Sequence, residues 1–279
     1  MYTKTNKSIS LTNEQIQVII GTVLGDASLT KSRNKRKTAC IRFNHSISQK
    51  EYVWYKYSFL KSLSRKPPME YTNWRKIQQT YYTKIDFSSV YTEELYNFHK
   101  MFYPNGKDKI IPKNIKDYLT PLSISIWYMD DGSIETIKDK RNGKIHYVRN
   151  QINLHTNCFS KNECIILCKT IYNKFRIKFR IKSVNKNKHH ILICRSRNDI
   201  EKFISMVKPY MHETMLYKIT TSYAKPIRKP KYNKQKLLRI IRKLNLHNHK
   251  DFIKYKNGKK LYNNVRYYFG SLEAANKLI

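Results

Sequence analysis

Ile19-Ile20-Gly21-Thr22-Val23-Leu24-Gly25-Asp26-Ala27 and Ser125-Ile126-Trp127-Tyr128-Met129-Asp130-Asp131-Gly132 carry the same unusual message. Each reads as an apolar helix that ends on an aspartate. A helix C-terminus bears partial negative charge, so a carboxylate there is badly placed unless something positive sits beside it. Two such ends in one chain imply two carboxylates that share a cation. Thr12 and Gln15 have capping-box spacing ahead of the first helix, and Ile16, Ile19, Ile20, Val23 and Leu24 form its apolar stripe. Gly21 and Gly25, four apart on a neighbouring face, would let another backbone approach closely. Glycine inside a helix costs about 1 kcal/mol relative to alanine, so a pair suggests tight helix–helix contact. Thr120 is the expected N-cap of the second helix, with Pro121 at its first position.

The rest of the chain repeats one layout around these helices. After Asp26, Arg33 to Lys37 forms a charged turn and Thr38 to His45 alternates as a strand. Glu51 to Leu63 reads as an aromatic-rich helix closed by Pro67 and Pro68. Ile77 to Phe87 reads as a strand pair and Thr92 to Phe102 as a helix. In the second half, Ser133 to Leu154 is a hairpin around Asn142-Gly143. Ser160 with Glu163 opens a helix to about Phe175. Phe179 to Val184 and Ile191 to Cys194 are strands across a Lys/Asn/His turn, and Asn198 to Val207 is a helix. The fold class is therefore α+β, with two pseudo-symmetric αββαββα halves that match in layout rather than in letters. The boundaries are an N-terminal tail over 1–11, a first half over 12–115 and a second half over 116–224. A basic linker over 225–233, stiffened by Pro226 and Pro230, leads to a small helical module over 234–279.

Lys and Arg number 56 against 19 Asp and Glu, a formal charge of +37 that calls for a polyanion. With no long apolar span and no basic amphipathic anchor, nucleic acid is a better partner than membrane. The 40% hydrophobic content, with 22 Tyr and 11 Phe, excludes a disordered basic tail. Heavy use of Lys, Asn, Ile and Tyr with 7 Gly fits coding in an AT-rich genome such as an organelle's. Five cysteines without a signal peptide fit a reducing compartment. His155, Cys158, Cys164 and Cys168 cluster in sequence and leave zinc conceivable. Helical spacing of Cys164, Leu167, Cys168, Ile171 and Tyr172 favours a core role instead.

The paired motifs resemble those of the LAGLIDADG homing endonucleases in their two-motif, monomeric form, which implies two halves packed through the motif helices, each with a curved antiparallel DNA-binding sheet. The likeness runs from Ile16 to Ile219. It includes Ile111-Pro112-Lys113-Asn114, Tyr118-Leu119-Thr120-Pro121-Leu122-Ser123 and Val207-Lys208-Pro209-Tyr210-Met211. The resemblance implies hydrolysis of both strands of a long, asymmetric double-stranded DNA site, in the service of intron mobility from a mitochondrial or chloroplast genome. It implies catalytic Asp26 and Asp131 holding Mg²⁺, with Mn²⁺ able to substitute, and places Gly25 and Asp130 beside the metal. Lys109 and Lys218 fall at the family's active-site lysine positions. An RNA maturase acting on the host intron is the alternative, since some members are maturases. The Phe269–Ala275 ending resembles a small repeat appended to such enzymes. Ile126 and Asp130 stand where the first motif has Gly21 and Gly25, so the helix pair is asymmetric and unequal cutting of the two strands is expected. Candidate DNA contacts on the basic strands and turns are Arg33, Arg36, Arg42, Lys76, Arg141, Lys144, Arg149, Lys182, Lys186 and Lys188. Most of these are expected at phosphates and few at base edges.

Overall fold

The computed structural model describes residues 10–279 apart from 34–35, 76–78, 142–143, 221–233, 249–250, 253, 255–257, 270 and 279. Thr12 and Thr120 cap the motif helices as expected, and the second cap proves to be a full capping box as well. Thr12 caps α1 (Asn13–Leu24) with Gln15, and Thr120 caps α4 (Pro121–Asp131) with Ser123. From each helix the chain runs through the same series. The first half holds β1 (Ser28–Lys31), β2 (Ala39–Ser46), α2 (Lys50–Leu60), β3 (Met69–Arg75), β4 (Thr80–Ser88) and α3 (Glu93–Phe102). The second holds β5 (Gly132–Arg141), β6 (Lys144–Leu154), α5 (Lys161–Phe175), β7 (Arg180–Val184), β8 (His189–Cys194) and α6 (Arg197–Val207). Each half builds one antiparallel sheet, in the order β1-β2-β4-β3 and β5-β6-β8-β7. The two orders match strand for strand, which is the repeat expected from the layout.

One expectation needs correction. The first half's strand pair begins at Met69, not Ile77, directly after Pro67-Pro68 ends the helical segment. Residues 69–74 are all exposed. With no buried face, β3 carries no apolar/polar alternation to reveal it. The turn dipeptide Asn142-Gly143, the linker over 225–233 and nearly all of the N-terminal tail lie outside the described residues.

The motif helices are buried on every side. Val18 to Leu24 and Leu122 to Met129 form unbroken buried runs, the mark of helices at the centre of a core. Their polar side chains are satisfied internally: Thr22 Oγ1 donates to Val18 O at 2.7 Å, and Ser125 Oγ to Val207 O at 3.1 Å. A Cβ on Gly21 would lie 2.3 Å from Ser123 O and 2.8 Å from Ile126 Cβ. One on Gly25 would lie 2.5 Å from Asp130 Cβ. Gly21 of α1 and Gly25 at its end thus receive the larger residues of α4, glycine against side chain rather than glycine against glycine. A single core runs through both halves, with Trp127, Tyr52, Tyr128 and Phe43 among its largest members.

Contacts divide the chain into two compact units, Met1–Ser222 and Tyr223–Ile279. The second unit contains α7 (Lys234–Leu244), α8 (Gly258–Phe269) and α9 (Leu272–Asn276), packed on its own core of Leu237, Ile241, Phe252, Val265 and Ala275. Ser271 caps α9 through Ala274 N.

Gly21→Ala gains helix propensity but drives a methyl into backbone. Equilibrium urea unfolding is expected to show a net loss of about 1–3 kcal/mol. An unchanged or raised midpoint would contradict the close approach.

Candidate functional site

Asp26 follows the end of α1 and Asp131 is the last residue of α4, so both carboxylates stand at negative helix ends. The structure supplies a cation to each end. Lys109 Nζ donates to Val23 O at 2.6 Å and Gly25 O at 3.1 Å. Lys218, from the 3₁₀ turn Glu213–Lys218, donates to Met129 O at 2.5 Å and Asp130 O at 3.0 Å. Tyr128 Oη in turn donates to Lys218 O at 2.7 Å and fixes that turn. Each lysine thus meets the last carbonyls of one motif helix, which otherwise have no partner. Both ammonium groups spend donors on backbone rather than on the aspartate side chains. Gly25 O, expected beside the metal, is one of the acceptors.

Asp130 was expected beside a metal, and the structure gives its carboxylate other partners. Its side chain is 0% exposed, as is that of Lys56, and Lys56 Nζ lies 2.9 Å from Asp130 Oδ1. Tyr52 Oη donates to the same oxygen at 2.8 Å. The other carboxylate oxygen, Oδ2, accepts the Asp26 backbone N–H at 3.4 Å. Lys56 Nζ also lies over the rings of Phe43 and Tyr52, 4.3 and 4.7 Å from their centroids, and 2.8 Å from His45 Nε2. His45 Nδ1 sits 3.0 Å from Gln49 Oε1 and 3.6 Å from Asp26 Oδ2. Sequence reasoning missed Lys56, His45 and Tyr52. A signal existed: in α2, Tyr52, Val53, Lys56 and Leu60 share the buried face, so a lysine occupies a core position. His45 likewise alternates with Phe43 on the core side of β2.

The two motif carboxylates are both shifted upward. Asp131 is pushed up to about 7, first by burial and then by the charges of Asp26 and Asp130. Asp26 is raised by burial and by Asp130, against the pull of Lys56, Lys218 and Lys109. Upward shifts mean that burial and neighbouring carboxylates disfavour the ionised pair by more than the nearby lysines favour it. Asp26, His45 and Asp130 also offer ligand atoms within 4.8 Å of one another. His155, Cys158, Cys164 and Cys168 form no such group among the described residues. Cys164 and Cys168 sit on α5, Cys164 in the core and Cys168 packed against it.

Register sorts the sheets into faces, because directly opposed residues share one. Phe43 with Phe87 and Leu154 with Leu192 face the core. The opposite face of the first sheet carries Ser28, Arg42, Ser88, Asn44, Tyr71 and Lys84. That of the second carries Ser133, Glu135, Gln151, Asn153, Arg180 and Lys182. Here Gln151 Nε2 and Asn153 Nδ2 both donate to Glu135 Oε1 at 3.1 Å, and Arg195 Nε donates to Gln151 Oε1. Among the expected DNA contacts, Arg42 and Lys182 are exposed on these faces. Arg33 and Arg36 are exposed in the β1–β2 connection, and Lys186 and Lys188 in the β7–β8 turn. Positive φ at Asn185, Lys186 and Asn187 makes that turn tight. Arg141 and Lys144 pair at the end of the β5–β6 hairpin. Arg149 is half-buried and donates to Glu201 at 2.9 Å and to Ile219 O at 3.1 Å. Lys76 lies outside the described residues.

A profile described as the LAGLIDADG DNA endonuclease family matches residues 16–203. The chain is 30% identical to "Probable intron-encoded endonuclease 1" of Wickerhamomyces canadensis over 75% of its own length and 85% of that protein. It is 28% identical to "Cytochrome b mRNA maturase bI2" of Saccharomyces cerevisiae over 77% of its length and 49% of that protein. It spans about half the length of several of the curated relatives it matches. Its fold is similar to that of the homing endonuclease I-WcaI bound to its DNA recognition sequence. That likeness has a TM-score of 0.66 and 24% identity, and covers 79% of this chain and 95% of the other. Repeated topology, paired helix-end aspartates and profile agree, and the chain belongs to the LAGLIDADG DNA endonuclease family.

Proposed function

We propose that this protein is a site-specific endonuclease that hydrolyses both strands of a long, asymmetric double-stranded DNA target and so promotes mobility of the intron encoding it. The observation that carries the reading is the aspartate pair. Two carboxylates with raised pKa values stand at two helix ends whose own cations are spent on backbone carbonyls. That donor set fits a hard divalent cation, which takes carboxylate oxygens together with water and phosphate oxygens. Asp26 and Asp131 would hold it, Mg²⁺ being preferred and Mn²⁺ an acceptable substitute. When bound, such an ion supplies charge screening at the scissile phosphate and acidifies attacking water. Lys109 and Lys218 keep the helix ends neutral, and so hold both aspartates in place. The polar sheet faces bind and orient the duplex, with Arg42, Lys182, Lys186 and Lys188 meeting phosphates and Asn44 suited to a base edge. Both halves lie in one chain, which supports action as a monomer. The AT-rich residue usage and the cytochrome b maturase relative support a mitochondrial origin.

That relative also supports a second reading, an RNA maturase that helps the host intron splice. A splicing assay with the host intron, run beside the cleavage assay, separates the two.

Asp26→Asn is expected to slow cutting of one strand more than about 100-fold while DNA affinity by gel shift stays within twofold. Double-strand cutting at the wild-type rate would reject the assignment.

Asp131 also dictates a pH signature. Its folded pKa of about 7 lies above the ordinary aspartate value of 3.8. Between these values the native state keeps a proton that the unfolded chain has released, so the contribution of Asp131 to stability falls as pH rises. His45, lowered to about 4 by burial and Lys56, acts in the opposite sense below 6.5. The comparison is therefore between variants. In EDTA, Asp131→Asn is expected to gain on wild type between pH 4 and 7 by on the order of 2 kcal/mol after solvent screening. Mg²⁺ at pH 8 is expected to stabilise wild type and not the variant. Parallel stability curves would refute the shift.

A further inference from the structure

The ion pair beneath the aspartates serves no step described so far. Burying a lysine and a carboxylate together is costly, and a well-packed apolar pair is often as stable. Here both side chains are fully buried, and the site adds a tyrosine hydroxyl, a histidine and two aromatic faces around them. Two members of this cluster, Asp130 and His45, reach Asp26. Asp130 Oδ2 accepts the Asp26 backbone N–H. An ammonium has donors only, so His45 Nε2 must accept from Lys56. The ring proton is then on Nδ1, directed at Gln49 Oε1 and facing Asp26 Oδ2 at 3.6 Å. Lys56 thereby fixes both the Asp130 carboxylate that holds the Asp26 backbone and the tautomer that faces its side chain.

Among the described residues, no buried lysine–carboxylate pair stands beside Asp131 in the same way. Counted from the first residue of each helix, Leu167 of α5 stands where α2 has Lys56. Gly25, with no side chain, precedes Asp26 as Asp130 precedes Asp131. A second metal ion among Asp26, His45 and Asp130 is the competing account of the cluster. Lys56 Nζ argues against it, because it lies within 2.9 Å of both His45 Nε2 and Asp130 Oδ1 and already fills the place of a cation.

We infer that the Lys56–Asp130 pair, acting with His45, positions Asp26 by direct contacts and reaches Asp131 only through the chain and charge of its neighbour Asp130, so that the two halves of the active site hold their aspartates by different means. The inference rests on the endonuclease reading above. It makes Lys56, Asp130 and His45 positioning residues, which touch neither DNA nor the reacting phosphate.

The test is strand-resolved nicking of an end-labelled target duplex in Mg²⁺. Lys56→Met alone would leave a buried charge unpaired, so the variant is Lys56→Met with Asp130→Asn, which removes both charges at nearly constant volume. Expected is a roughly tenfold or greater slowing of the strand whose cutting is lost in Asp26→Asn. The other strand should stay within twofold of wild type, with half-saturating DNA unchanged. Equal slowing of both strands, or no slowing, overturns the inference. If thermal unfolding shows the double variant to be unfolded, His45→Asn replaces it. Asparagine keeps an N–H near the Nδ1 position and loses the contact with Lys56, and the same strand bias is expected. A bias towards the opposite strand, or none, overturns the inference equally. Wild-type enzyme that cuts neither strand would instead overturn the endonuclease reading, and so the two failures are distinguishable.

Discussion

Two buried helices that meet glycine against side chain set the terms for everything else in the first unit. Gly21 and Gly25 let α1 approach α4 until Ile126 and Asp130 fill the space that Cβ atoms would occupy. That approach brings two negative helix ends and two carboxylates into one small region. Packing forces this electrostatic concentration, and the packing is worth enough to sustain it. Ile19, Ile20, Val23, Leu24 and Ile126 are all essentially fully buried, at about 1.5–3 kcal/mol apiece.

The surrounding charges then follow a division of labour. Lys109 and Lys218 neutralise the helix dipoles through backbone carbonyls, and Lys56 neutralises Asp130. Three buried or half-buried ammonium groups are thus committed before Asp26 and Asp131 are considered. The raised pKa values of those two carboxylates express what remains uncompensated. A site with a lysine on each aspartate would be more stable alone and would have nothing to offer a divalent ion.

Much of this was legible from residue order. Capping residues marked the helix starts, because Ser and Thr hydroxyls satisfy amides that have no other partner. Thr12, Thr120 and Ser160 all serve as expected. The asymmetry of the motif helices was also legible, since glycine faced isoleucine and aspartate at matching positions. β3 was not, because a strand exposed on both faces has no pattern to read. Lys56 was hidden for a different reason. Among 56 basic residues one more lysine on a helix looks solvated, and only its place among Tyr52, Val53 and Leu60 reveals it as core. His45 was masked by the same logic, as a polar letter at an inward position of β2. Both failures come from treating charge as surface, a rule that breaks where a protein buries charge for a purpose.

The purpose has a structural cost that explains why it is confined to one half. A symmetric pair of glycines would leave both aspartate backbones to be held by main-chain contacts alone. Replacing one glycine with Asp130 fills the interface and introduces a carboxylate where no water reaches. That carboxylate demands a cation, the cation demands an acceptor and an aromatic cage, and these come from α2 and β2 of the opposite half. Tyr52 Oη, bridging Ile126 O at 3.2 Å and Asp130 Oδ1 at 2.8 Å, ties α2 to α4 in the same stroke. One substitution in a motif helix therefore recruits a network that joins the two halves. The place where the pseudo-symmetry breaks is thus also a place where the two halves are bound together.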